Sequence, residues 1–181
     1  NALVFECLAE RTIALAQLRR SQDPDAGFYP LLQERMHAVL PACVAQGTTV
    51  ITNMGAANPE GAGQAVIRVA RALGLPRLRV AVVSGDDVLP WMQANDVVLM
   101  DSEQTVRCLD GRLVSANAYL GADALLPALR AQADVVVTGR VADPALSTIT
   151  PTARTTWASC RSTRSGCPSW PASTGCRRTR C

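Results

Sequence analysis

Three short apolar runs set the limits on what this chain can fold into. TTVITN at 48–53, LRVAVVSGDD at 78–87 and ADVVVTGR at 133–140 gather aliphatic, mostly β-branched residues and then break into polar ones. A strand wetted on one face alternates apolar with polar. A run that is apolar throughout suits a strand buried on both faces, which is the habit of parallel sheets covered by helices. Helical patterns lie between the runs, and strand–helix alternation of this kind predicts an α/β fold: a mainly parallel sheet flanked by helices.

The elements follow from local signals. LVF at 3–5 reads as a strand, and the text to residue 20 turns helical with a ragged apolar face of Leu8, Ile13, Leu15 and Leu18. Leu32, Met36, Val39 and Leu40 recur at helical spacing before Gly47, an end signal, while Pro41 predicts two short helices or a kink. Residues 58–74 form an amphipathic helix, with Asn58 as N-cap, Pro59 in the first turn and Val66, Val69, Ala70 and Leu73 facing the core. DVLPWMQAN begins another helix. Residues 106–116 predict a hairpin around Asp110 and Gly111, and 118–132 a helix interrupted by Pro127.

A break in composition divides the chain. Residues 1–150 hold all 15 acids and 12 of the 18 arginines, so this part is mildly acidic and gives no reason to expect a nucleic-acid partner. Residues 151–181 hold six arginines, no acid and no Val, Ile, Leu, Met or Phe. Without aliphatic side chains a segment buries too little surface to offset its chain entropy, so it is expected to be disordered. An RNA-binding tail is the least favoured reading. A reading-frame error accounts for more. Lysine is absent throughout, as a GC-rich coding sequence would produce. Written in GC-ending codons, the text from Thr156 to Arg161 shifts by one base into Leu-Gly-Glu-Leu-Pro, which restores aliphatics and acids. The expected organisation is a partial domain over 1–148 followed by an out-of-frame tail over 149–181.

The cysteines follow the same division. Cys7, Cys43 and Cys108 stand singly, and no CxxC pair or zinc spacing occurs. Neither a leader-like segment nor an apolar run of about 18 residues is present, so a cytoplasmic protein without a membrane partner is expected.

In parallel sheets ligands gather beyond the carboxyl ends of the strands. TNMGAANPEG follows one strand with a glycine turn and a helix start, and Asn53, Gly55 and Asn58 would line a loop receiving a phosphate or carboxylate. An ordinary turn with Asn58 as a plain cap is the equal alternative. SGDD brings Gly85, Asp86 and Asp87. Asp86 is the candidate for acid–base chemistry, and a shared metal is the minority reading because adjacent side chains point apart. In SANAYLGA, Asn117 either bonds a ligand carbonyl or, the favoured reading, caps a helix. TGRVADPA places Gly139, Arg140 and Asp143 past the last strand. Arg140 suits a carboxylate or phosphate, with Asp143 orienting it or pairing with it. His37, the single histidine, reads as a helix-surface residue, so a Ser–His–Asp mechanism has no support.

The stretches LVFECLAERTIALA, VITNMGAANPEGAGQAV, VAVVSGDD, VSANAYLGA and VVVTGRVADPAL occur in this order between residues 3 and 146. Together they resemble the N-terminal domain of the acyclic terpene utilisation family, the AtuA type. The resemblance implies a part in bacterial catabolism of acyclic terpenes such as citronellol and geraniol through acyl-CoA intermediates, near a branched hydroxyacyl-CoA lyase step. It carries over no catalytic residues. An Asp is usual in the family where Cys7 stands here, leaving Glu6 and Glu10, and the domain is expected to be incomplete at both ends. The expected activity is lyase- or hydrolase-like on a small-molecule or CoA-linked substrate. The cofactor is unknown, no metal is assigned, and a homo-oligomer stays open. A non-catalytic binding or assembly subunit and an inactive frameshifted fragment are the alternatives.

Overall fold

The computed structural model describes residues 1–100, 104–109, 113–148 and 177–179. Strands β1 (Ala2–Phe5), β2 (Thr49–Thr52), β3 (Val80–Val83) and β4 (Val135–Thr138) form a parallel sheet in the order β1-β2-β4-β3. A short strand β5 (Arg177–Thr179) pairs antiparallel with β3. The α/β expectation holds, and all three apolar runs are strands. Of the tail read above as out-of-frame and disordered, 149–176 and 180–181 lie outside the described residues, while Arg177–Thr179 are the paired strand β5. Residues 110–112, the turn of the expected hairpin, also lie outside the described residues. Residues 106–109, where its first strand would run, form a 3-10 turn instead.

Side-chain alternation divides the core into two layers. Leu3, Phe5, Val50, Val80, Val135 and Val137 face helices α2 (Leu32–Ala45) and α3 (Pro59–Ala72). Val4, Ile51, Ala81, Val83 and Val136 face the other way, toward α5 (Leu126–Arg130), the preceding 3-10 turn Ala122–Leu125 and Leu146 of α6 (Asp143–Thr148). Going from β1 to β2 to β3 the chain steps one way across the sheet, and α2 and α3 cover one face. From β3 it steps back to β4, and α5 covers the opposite face. Constant crossover handedness requires that exchange of faces.

Several local readings hold in detail. Asn58 caps α3, accepting from the Gly61 N–H at 2.9 Å, with Pro59 following in the first turn. Gly47 takes φ +60° just past α2, and the Thr48 N–H closes on the Cys43 carbonyl. The helix α4 (Leu89–Asn95) starts where DVLPWMQAN predicted one, and His37 is exposed on α2. Pro41 does not divide α2, which runs unbroken from Leu32 to Ala45.

Two helical readings need correction. In α1 (Glu10–Gln22) Leu15 and Leu18 are exposed; Ala16 is the buried residue, while Leu8 is buried ahead of the helix. Residues 118–121 are extended, not helical. Leu120 bridges in parallel to Val141, and this pairing holds the chain open until the turn at Ala122. Tertiary strand pairing has overridden a local helical pattern.

Asn58 does more than cap. Its Nδ2 donates to the carbonyls of Pro24 (3.1 Å) and Ala26 (2.8 Å), fastening the α1–α2 connection over the turn after β2. Asn58→Ala is expected to cost about 2 kcal/mol, the upper end for a lost cap, because the Pro24 and Ala26 carbonyls lose their donor as well. Asn58→Asp keeps the cap acceptor and loses the donor, so chemical denaturation should place it between alanine and the native residue.

Candidate functional site

Parallel strands bring the residues that follow them to one rim. Glu6 and Cys7 leave β1, Asn53 leaves β2, Asp86 leaves β3, and Gly139 and Arg140 leave β4. The loops are bonded to one another. Asn53, fully buried, accepts from the Cys7 N–H at 2.8 Å through Oδ1 and donates to Glu6 Oε1 at 2.9 Å. The Arg140 N–H donates to Asp86 Oδ2 at 2.8 Å, and Asn117 Nδ2 donates to the same oxygen at 3.0 Å. The Ala118 N–H bonds the Asp86 carbonyl. Asn117 therefore holds Asp86; it does not cap a helix.

Asp86 and Asp87 do point apart. Asp87 is exposed, and its Oδ1 accepts from the Leu89 N–H at the start of α4. Asp86 is 4% exposed. Burial pushes its carboxyl above the usual range, against the lowering effect of the bonds from Arg140 and Asn117. Gly139 makes room for it: a Cβ there would sit 2.5–2.7 Å from the Asp86 carboxylate atoms. Gly85, at φ +111°, supplies the backbone turn that carries Asp86 inward.

Arg140 is also 4% exposed. Its guanidinium bonds the Leu8 carbonyl, the Tyr119 hydroxyl and, at 3.0 Å, Glu10 Oε1. Tyr119 lays its ring 4.1 Å from the guanidinium carbon and donates its own O–H to Glu10 at 2.9 Å. The ion-pair partner of Arg140 is thus Glu10, and Asp143 stands exposed at the start of α6. Glu10 is held below the ordinary carboxylate range by its own backbone N–H, then by the Tyr119 hydroxyl and the Arg140 charge.

The turn after β2 is covered. Residues 53–58 are all buried. The N–H groups of Ala56, Ala57 and Asn58 bond the carbonyls of Asn53, Gly27 and Gly55, and Arg20 bonds the Ala57 carbonyl. Gly55 packs against the end of β4, since a Cβ there would come 2.4 Å from the Thr138 carbonyl oxygen. Asn53, Gly55 and Asn58 accordingly brace the rim from beneath, with the side-chain amides of Asn53 and Asn58 engaged within the chain.

Two further rim features escaped the sequence reading. Arg35, reaching up from α2, donates to Cys7 Sγ at 2.9 Å and stacks on the rings of Phe5 and Tyr29. Burial raises the Cys7 thiol, opposed by the charge and hydrogen bond of Arg35. Glu10 and Tyr119, the partners of Arg140, lie 130 and 21 residues from it in the chain. Glu10 was noted only as what remains beside Cys7, and no sequence signal joined it to Arg140. Among the described residues no group of three or more His, Cys, Asp or Glu is placed to hold a metal ion. Nor is any described helix long and apolar enough to cross a membrane.

A comparison with family models matches residues 1–162 to the acyclic terpene utilisation family protein AtuA. The chain belongs to the AtuA family. That match takes in all four parallel strands and every residue of the Asp86–Arg140 network, so the rim belongs to the AtuA domain itself. Neither a curated protein nor a solved structure matches the chain.

Proposed function

We propose that the carboxyl rim of this AtuA-type sheet receives the anionic part of a small branched acid or its CoA thioester, and that Asp86 transfers a proton on it. The reading puts the chain in the cytoplasmic catabolism of acyclic terpenes through acyl-CoA intermediates, with lyase- or hydrolase-type chemistry. It is carried by one observation: the Arg140 N–H bonded to Asp86 Oδ2 joins a buried carboxyl and a buried guanidinium across adjacent strands. A buried carboxyl whose pKa is raised holds its proton to higher pH than a free carboxyl does, which suits a group that gives and takes protons. Arginine offers a planar fork matched to a carboxylate or phosphate. Gly85, Asn117 and Gly139 position Asp86; Asn53, Gly55 and Asn58 support the floor, and Asp143 stands at the rim's edge.

Calorimetric titration of the full chain with a branched acyl-CoA and with the matching free acid tests this reading. Binding should weaken by at least about thirtyfold in Arg140→Met, as loss of a charged hydrogen-bonded anchor requires. Absence of binding, or equal binding by the variant, overturns it.

A non-catalytic binding or assembly subunit is the second reading. Its support is that, among the described residues, every buried side-chain nitrogen and oxygen already has a partner within the chain. Turnover separates the two. For residues 149–181 the out-of-frame reading rests on composition, and the coding sequence around codon 150 tests it; if no frame there yields a leucine-patterned continuation, that reading falls.

A further inference from the structure

We infer that Glu10 is a built-in occupant of the anion seat at Arg140, a surface carboxylate that holds the place of a ligand's carboxylate or phosphate and is exchanged for it. This rests on the reading of Arg140 as an anion receptor and adds to it the groups that complete the seat and the step that opens it.

A buried guanidinium stays charged, so a counter-charge and hydrogen-bond partners close by must offset its desolvation. The carboxylate that the adjacent strand brings to Arg140 is Asp86, but Asp86 bonds the Arg140 backbone N–H. The counter-charge on the guanidinium comes instead from Glu10, whose side chain is 81% exposed while that of Arg140 is 4% exposed. A core cation is thus balanced by a group standing in solvent. Glu10 is the first residue of α1, so turning its side chain away gives up the bonds from Tyr119 and Arg140 and the contact with its own backbone N–H, and leaves the i→i−4 ladder of the helix in place. Tyr119 is 56% exposed, and its hydroxyl touches both charges, donating to Glu10 and accepting from Arg140. If Glu10 leaves, the same hydroxyl and the same guanidinium edge present two donors to an incoming oxyanion. The Leu8 carbonyl keeps the other guanidinium edge fixed. The seat therefore survives exchange of its occupant: one edge is anchored in the core, and the other faces a replaceable carboxylate.

The test titrates the full chain with inorganic phosphate and, separately, with isovalerate, which distinguishes a phosphate from a carboxylate ligand. Removing the internal competitor in Glu10→Gln should tighten binding of the matching anion by about fivefold, because the seat no longer has to be vacated first. Tyr119→Phe, a surface change that leaves the fold intact, should weaken binding severalfold. It should also abolish the tyrosine difference absorbance that exchange at this seat produces in the native chain. Binding that is lost in Arg140→Met but unchanged in Glu10→Gln overturns the exchange and leaves the anion-receptor reading standing. Tighter binding in Glu10→Gln with no tyrosine signal also overturns it, since general relief of negative charge accounts for that result. Failure of both anions to bind either form removes the receptor reading and the exchange together.

Discussion

The Asp86→Asn substitution is expected to lower turnover of a branched acyl-CoA by about 10²- to 10⁴-fold, the usual weight of a positioned general acid or base. The change keeps the shape of the side chain, and its carbonyl oxygen can still accept from the Arg140 N–H. With that carbonyl placed where Oδ2 stands, the bond from Asn117 Nδ2 is kept as well, and the new amide takes the place of the other oxygen, giving up only the contact of the carboxylate with its own backbone N–H. A stability loss of about 1 kcal/mol is therefore expected, too little to remove activity by unfolding. The pH dependence supplies an independent check. Burial raises the folded-state pKa of Asp86 above the unfolded value of about 3.9. In that interval the folded state holds the Asp86 proton more than the unfolded one does, so the contribution of Asp86 to stability falls as pH rises through it and is level above. The asparagine variant lacks this slope. Thermal unfolding of both proteins across the acid range should show their melting curves separating at low pH, where the native chain gains. Turnover within about twofold of native would assign the rim to binding alone.

Gly55→Ala is expected to be the most destabilising single-methyl addition at this rim, at about 3 kcal/mol, the upper end for overpacking. The new Cβ would come 2.4 Å from the Thr138 carbonyl oxygen and 2.8 Å from the Pro59 Cα. Both obstacles are backbone, one at the end of β4 and one at the start of α3, so neither can turn aside as a side chain would. In a chain of this size the melting temperature should drop by about 6–12 °C. Gly74→Ala is the contrasting case. Gly74 sits at φ +72° with nothing within 4 Å of the added carbon, so its cost is the conformational one alone, about 1 kcal/mol. Equal losses at the two positions would show that the close approach of Gly55 to β4 does not govern the cost.

The fold was legible where burial on both faces removed polar residues from the strands, and at Asn58, where cap, proline and amphipathic pattern agree. The segment 118–121 was misread because its conformation depends on Leu120 pairing with Val141, a neighbour that local pattern does not announce. The site was legible in the same uneven way. Strand ends marked Asp86 and Arg140 as rim residues, since parallel strands terminate together. The side-chain partners of Arg140 could not be read, because Glu10 arrives from the start of α1 and Tyr119 from an irregular segment. The glycine turn after β2 carried the right residues for an anion loop, but it is buried, the Ala56 and Asn58 N–H groups bond carbonyls inside the turn, and the Ala57 N–H and the Asn58 side-chain amide bond the α1–α2 connection.

Arg140 is fastened at both ends. Its main chain grips the loop after β3 through Asp86, and its side chain grips the loop after β1 through the Leu8 carbonyl. The two loops are thereby pinned to one residue, as two doors are to a shared hinge post. Amide exchange at Leu8 and at Ala118 should then slow or quicken in step whenever the tenant of the guanidinium changes, a correlation that separate loops would not produce.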